Sequence, residues 1–203
     1  ATAQPAPSTV PGVAAQTSAV QGLVVTADQP VTLYAVIASR LYRSIDQGRS
    51  WVEEDGSGLP LGVPFGSVAI DYRHAATMYA LTAQGIYRRE GQGAWGLVNT
   101  LQAVSLAVDL EDASTLWAGV RRNELGAVIL KSTDGGRTWG KADWGLPAQA
   151  DVAGDVLVDP RNPNILWAVV HRGDDGRSSI WRGGRDGSWE RLGLGSFEPS
   201  GQG

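Results

Sequence analysis

No cysteine occurs among the 203 residues. That absence excludes disulfides, thiolate metal sites and a cysteine nucleophile, and it leaves the redox compartment open. Lysine is scarce as well. Lys131 and Lys141 are the only two, and every other cation of this set is arginine. With a formal net charge of −4 there is no basic field to hold nucleic acid. The two histidines, His74 and His171, are not spaced as a metal pair, and the chain contains neither a G-x-S-x-G nor a P-loop. No metal and no cofactor is expected. No apolar run approaches the ~20 residues of a membrane helix, so the chain reads as not membrane-spanning.

What the chain has in excess is glycine, 27 residues, and tryptophan, whose 8 copies outnumber the 5 Tyr and 2 Phe combined. This profile suits many short strands joined by turns. Residues 1–21 read as a disordered or extended tail, since Ala1 to Gln16 carries no charge and little to bury. The tail begins with Ala, which reads as a chain whose signal peptide has been removed, so a secreted or periplasmic location is expected. Residues 193–203 are Gly/Ser/Pro-rich and read as a flexible C-terminal tail.

Between the tails the sequence repeats. Val24-Val25, Leu33-Tyr34-Ala35, Leu41-Tyr42-Arg43 and Trp51 are echoed by Val68-Ala69-Ile70-Asp71, Met78-Tyr79-Ala80, Ile86-Tyr87-Arg88 and Trp95. A third copy runs through Leu106-Ala107-Val108-Asp109, Leu116-Trp117-Ala118, Ile129-Leu130-Lys131 and Trp139. The fourth has Val156-Leu157-Val158-Asp159, Leu166-Trp167-Ala168, Ile180-Trp181-Arg182 and Trp189. A period of roughly 40–50 residues with four short strands is the signature of a propeller blade. The expectation is an all-β protein, a β-propeller of four blades, each a four-stranded antiparallel sheet. The blades fall at about 22–57, 66–101, 104–145 and 154–192.

The turn between the third and fourth strands is the sharpest motif. Ser44-Ile45-Asp46-Gln47-Gly48-Arg49-Ser50-Trp51 and Ser132-Thr133-Asp134-Gly135-Gly136-Arg137-Thr138-Trp139 both read S-x-D-x-G-x-[S/T]-W. The Asp accepts backbone N–H groups ahead of it, and Gly takes the positive φ where the chain reverses. Ser44, Asp46, Gly48, Trp51, Ser132, Asp134, Gly136 and Trp139 are thus structural residues. The motif is intact in repeats one and three only. Gly-Leu-Pro likewise follows only those two, at Gly58-Leu59-Pro60 and Gly145-Leu146-Pro147, which suggests duplication of a two-blade unit.

On these residues the chain resembles the Asp-box, or BNR-repeat, β-propellers. The run Asp159-Pro160-Arg161-Asn162-Pro163-Asn164-Ile165-Leu166-Trp167-Ala168 adds to the likeness. The families that share the box include sialidases, xyloglucan-type glycoside hydrolases, sortilin-like receptors and photosystem II assembly factors. They share no single activity. The resemblance implies that the Asp box is a structural turn away from the binding face. Such propellers usually have six or more blades. Either four close into a small ring, or the chain is part of a larger ring completed by another chain. Closure is favoured here, because an open array leaves two apolar faces unpaired.

Residues that recur in every repeat make poor catalysts, since catalysis needs one unique constellation. Asp71, Asp109 and Asp159 are therefore expected to be turn residues, and the Trp column to be blade packing. Arg43, Arg88, Lys131 and Arg182 are expected to project outward beside the Asp turns. The non-repeating loops carry the candidate site. They are the third repeat's insert, with Arg121, Arg122 and Glu124, and the fourth's, with His171, Arg172, Asp174, Asp175 and Arg177. Both join the second strand of a blade to the third, so they should sit side by side on one face. The long connections Glu53 to Ser67 and Lys141 to Asp155 belong to that same face and are expected to rim a central opening. The sialidase Arg-Ile-Pro signature is absent, and no carboxylate pair stands out as a glycosidase needs. The chain therefore reads as a non-catalytic binding or assembly module that docks a protein partner or a subunit of an envelope complex. The alternative is a glycan-binding or glycoside-hydrolysing propeller.

Overall fold

The computed structural model describes residues 20–26, 31–60, 65–71, 76–173 and 176–192. The strands form four separate four-stranded antiparallel sheets, each in simple meander order. Blade 1 holds β1 (Val20–Val25), β2 (Leu33–Ile37), β3 (Arg40–Ser44) and β4 (Val52–Glu53). Blade 2 holds β5 (Phe65–Ile70), β6 (Thr77–Thr82), β7 (Gly85–Glu90) and β8 (Gly96–Asn99). Blade 3 holds β9 (Ala103–Val108), β10 (Leu116–Val120), β11 (Ile129–Ser132) and β12 (Gly140–Lys141). Blade 4 holds β13 (Ala150–Val158), β14 (Ile165–Arg172), β15 (Ser178–Gly184) and β16 (Trp189–Arg191). Apart from Val20 and Gln21, the two expected tails lie outside the described residues.

Side chains alternate across each sheet, so every blade has two faces. One face carries a row running across the first three strands: Val24, Tyr34 and Arg43 in blade 1, then Ala69, Tyr79 and Arg88 in blade 2. Ala107, Trp117 and Lys131 form it in blade 3, and Leu157, Trp167 and Arg182 in blade 4. This face looks toward the next blade. The opposite face carries Leu23, Ala35 and Tyr42 in blade 1, and Val68, Ala80 and Tyr87 in blade 2. Leu106, Ala118 and Leu130, then Val156, Ala168 and Trp181, continue the second row. The core is a stack of such faces. Tyr34 and Val36 meet Val68, Met78, Ala80 and Tyr87. Ala69, Tyr79 and Leu81 meet Val108 and Leu116. Trp117 and Ile129 meet Val156, Leu166, Ala168 and Trp181.

The basic column does not simply project into solvent, which corrects the sequence reading. Lys131 stacks 5.3 Å from the centre of the Trp117 ring and donates to the Arg185 carbonyl of blade 4 at 2.7 Å. Arg88 lies over Tyr79, and Arg43 binds the buried Glu54 at 2.6 Å. A long cation packed on an aromatic shields the ring with its aliphatic stem and keeps its charge near water.

Among the described residues, the four blades stand in series and the series does not close. β1 packs on β5, β5 on β9, and β9 on β13, but β13 has no comparable interface with β1. The favoured closure into a four-blade ring is therefore not what the structure shows. Among the described residues, the forward face of blade 4 and the rear face of blade 1 have no neighbouring blade.

The alternation seen in the sequence has a structural cause. After blade 1 the chain runs across the third-to-fourth-strand turn of blade 2, where Trp95 N–H donates to the Ser57 carbonyl at 2.9 Å. After blade 3 it repeats the move on blade 4: Trp189 N–H donates to the Trp144 carbonyl at 2.8 Å. Gly58 and Gly145 sit at φ +89° and +95°, and a Cβ on either would strike the Trp95 or Trp189 carbonyl oxygen. Leu59 and Leu146 pack into the adjacent inter-blade cores. Gly-Leu-Pro is thus the strap that ties each odd blade to the even blade after it.

Candidate functional site

The two S-x-D-x-G-x-[S/T]-W stretches fold into the same turn. In the second, Asp134 Oδ1 accepts Ser132 Oγ–H at 2.8 Å and Thr138 N–H at 2.9 Å, and Oδ2 accepts Thr138 Oγ1–H at 2.6 Å. Ser132 Oγ in turn accepts Gly136 N–H at 2.9 Å, and Trp139 Nε1–H caps the Gly136 carbonyl at 2.9 Å. Asp46, Ser44, Ser50, Gly48 and Trp51 repeat every one of these contacts. Donors supplied by Ser50 in one turn and Thr138 in the other hold both carboxyls down at about 2. Carboxylates so engaged within their own turns offer little to a ligand.

The recurring Asp of the first turn also binds its own backbone. Asp109 Oδ1 accepts the N–H groups of Glu111 and Asp112, and Asp159 Oδ1 those of Arg161 and Asn162. Asp109 has a second role that sequence reasoning missed. It is fully buried, and Arg185 from blade 4 reaches it at 2.5 Å and Glu111 at 3.0 Å. Arg185 lies in a turn without the full box, so no repeat pointed to it. Buried Arg89 was missed in the same way. It pairs with Glu54 at 3.2 Å and lies 5.0 Å over the Trp95 ring, locking blade 2 to blade 1.

The candidate inserts come together at the opposite end of the blades. The start of β13 is the bridge between them. Arg121 pairs with Val152 in an isolated antiparallel bridge, and Arg122 N–H donates to the Asp151 carbonyl at 2.6 Å. On its other side the same strand pairs Ala150 with Arg172 and Val152 with His171. Arg121 and Glu124 are exposed, and Arg121 lies 3.8 Å from Asp151. Asp151 is a member of this cluster that the sequence reading passed over, because it belongs to a strand rather than to an insert.

Not every candidate is available to a partner. Arg122 spends its guanidinium inside the loop, donating from Nε to the Ala150 carbonyl at 2.7 Å and from Nη1 to the Gly126 carbonyl at 2.6 Å. Its Nη2 also reaches the Ala150 carbonyl. It is a staple that shapes the insert. Asn123 closes the loop by accepting the N–H groups of Leu125 and Ala127. His171 is half-buried with Nδ1 2.7 Å from Ser178 Oγ, and Arg172 N–H closes its hairpin on the Arg177 carbonyl. Asp174 and Asp175 lie outside the described residues. The cluster therefore lines one edge shared by blades 3 and 4 with Arg121, Glu124, Asp151, His171, Arg172 and Arg177, of which Arg121, Glu124, Asp151 and Arg177 are exposed.

Among the described residues, no group of three or more His, Cys, Asp or Glu side chains is placed to hold a metal ion. None of their helices is long and apolar enough to cross a membrane. A hollow of about 330 Å³ lies on blade 4, between Asn164, Ile165 and the Gly183–Gly184 backbone. Its one carboxylate, Glu190, accepts from Arg182 at 2.9 Å.

No family model matches the chain, and no curated protein matches it. Solved structures do. A GH74 xyloglucanase from Xanthomonas campestris is similar over 85% of this chain and 38% of its own, at 16% identity and a TM-score of 0.52. YCF48 bound to D1 peptide is similar over 86% of this chain and 53% of its own, at 17% identity and a TM-score of 0.51. The extracellular domain of a putative one-component system from B. thetaiotaomicron is similar over 92% of this chain and 23% of its own, at 16% identity and a TM-score of 0.54. The chain thus spans between about a quarter and about half the length of these structures. The likeness establishes the β-propeller fold, and at such identities it establishes the fold alone.

Proposed function

We propose that this chain is a non-catalytic, extracytoplasmic binding or assembly module that docks a protein partner, such as a subunit of an envelope complex, on the edge shared by blades 3 and 4. The observation that carries the reading is the bridging of the two non-repeating inserts by β13. Loops held by a rigid sheet are where a repeat scaffold gains specificity, and these two are confined to one place on the array. Their exposed groups carry both signs, as Arg121, Arg177, Glu124 and Asp151 show. That suits the polar surface of a folded protein or an extended peptide better than a uniformly charged polymer. YCF48, a protein of similar fold, is seen with a bound peptide, so the scaffold is compatible with such a role. The extracytoplasmic location rests on the uncharged Ala/Pro/Ser/Thr composition of residues 1–16. Cell fractionation tests it directly.

The test of docking is charge reversal on this edge. Arg121→Glu is expected to weaken capture of the native partner by about tenfold or more, as loss of a well-placed charged contact does. Arg49→Glu, on the exposed turn at the other end of the blades, is the control and leaves binding unchanged. Equal losses from both variants, or from neither, would place the partner elsewhere. Turnover of a glycoside panel would instead favour the glycan-directed alternative.

A further inference from the structure

The two end faces of the blade series carry the same residue pattern that is buried at each internal interface. In the forward row, the first-strand positions Ala69 and Ala107 are each 7% exposed, whereas their blade 4 counterpart Leu157 is 59% exposed. The second-strand aromatics Tyr79 and Trp117 are fully buried, yet Trp167 is only half-buried. In the rear row, Val68 and Val156 are 5% and 1% exposed, whereas their blade 1 counterpart Leu23 is 64% exposed. One step along, Val108 is 6% exposed and Val25 is 46%. Hydrophobic residues therefore stand exposed at interface positions of both terminal blades, where no blade among the described residues covers them.

The two faces differ from each other as the two sides of each internal interface do. Blade 4 ends with an aromatic and a cation, Trp167 and Arg182, the pair that in blade 3 is Trp117 with Lys131 stacked on it. Blade 1 begins with the aliphatic row Leu23, Val25, Leu33 and Ala35, of which Leu23 and Val25 are exposed and Ala35 is already buried with Ile37, Tyr42 and Trp51; the row matches the Val156, Val158, Leu166 and Ala168 that receive Trp117. At each of the three internal interfaces a forward face meets a rear face. A contact of this type is heterologous, and it must be satisfied twice to leave nothing open.

We propose that the end faces bind a second copy of the chain head to tail, blade 4 of each on blade 1 of the other, closing an eight-blade ring. The occupant follows from continuity with the three internal interfaces: the surface that best fits the forward face of blade 4 is the rear face of a blade 1, and each copy brings both. Closure also brings Trp167 and Arg182 into the environment that Trp117 and Lys131 already have.

Sedimentation equilibrium of the full chain is expected to give twice the 21.4 kDa of one copy, with no growth into larger species on concentration. Leu157→Asp and Leu23→Asp alter exposed side chains, so each should keep its circular dichroism and melt cooperatively. Each is expected to raise the dimer dissociation constant by about a hundredfold or more, since a carboxylate is then buried at both contacts. Mixing the two monomeric variants leaves one unaltered forward face and one unaltered rear face, so a heterodimer should form where neither variant alone dimerises. A monomer at every concentration overturns the proposal, as does a mass that climbs without limit. Failure of the two variants to complement each other would overturn the head-to-tail arrangement. None of these outcomes depends on whether the insert edge binds a partner.

Discussion

At the scale of single residues, the chain spends its charge on turns. Asp46 and Asp134 each sit at about 2 in the folded chain against 3.8 for a free side chain, because hydroxyl and amide donors favour the ionised form. A folded value below the unfolded one means stability that is complete above the unfolded value and lost as pH falls toward the folded one. The expected melting temperature is flat, as far as these groups act, down to about pH 4, and falls between about pH 4 and pH 2. The Asp46→Asn, Asp134→Asn double variant should melt lower at neutral pH and lose less across that acid window. An unchanged acid slope would show that the boxes are not linked to folding. These residues were legible in the sequence because the turn is local: donor, acceptor and glycine lie within eight consecutive positions. The Arg185–Asp109 and Arg89–Glu54 contacts were not, because each joins positions in different blades that no motif relates.

At the scale of the element, repetition made the strands readable, and departures from repetition carried the rest. Trp95 and Trp189 were rightly placed in a packing column, but nothing near them in sequence shows that the preceding linker lies across their backbone. Gly58 is at φ +89°, and a side chain there would drive a carbon to 2.0 Å from the Trp95 carbonyl oxygen. Gly58→Ala is expected to cost about 1–3 kcal/mol, from backbone strain and displacement of the strap. Gly96→Ala, in β8 with nothing within 4 Å of its added carbon, is expected to be nearly neutral. Urea denaturation of the two variants checks this, and equal midpoints would show that the strap does not hold blades 1 and 2 together. The inserts illustrate the reverse limit. Their shared face followed from propeller topology, but the consumption of Arg122 within its own loop depended on how the chain turned between Asn123 and Gly126.

At the scale of the whole molecule, stability should follow the number of neighbours a blade has, as in other repeat arrays. Blade 3 is flanked on both sides and carries β10, buried along its whole length. Its contact with blade 4 is reinforced by Ser105, whose hydroxyl donates to the Gly154 carbonyl and accepts Val156 N–H. Blade 1 is covered on one side only. Hydrogen exchange in the monomeric Leu157→Asp chain is expected to find β10 and β13 slowest and β1 fastest. Exchange at one common rate would mean that the series unfolds as a single unit. The open series was the part least visible in the sequence. The expectation of closure rested on the cost of open apolar faces, and composition and periodicity do not say how the two ends of the series are placed.

The strap between odd and even blades also sets an order of events during synthesis. Gly58 leaves the ribosome roughly forty residues before Trp95, a wait of about 2–8 s at common elongation rates of about 5–20 residues per second. For that time the strap is made but the turn of blade 2 that it crosses is not, and Leu59 lacks the core it packs into. The same interval recurs between Gly145 and Trp189, but there blade 3 can already rest on blade 2. Each strap must therefore wait, unbound, for the turn it crosses, so a chain halted between Leu59 and Trp95 would carry a strap with nothing to hold.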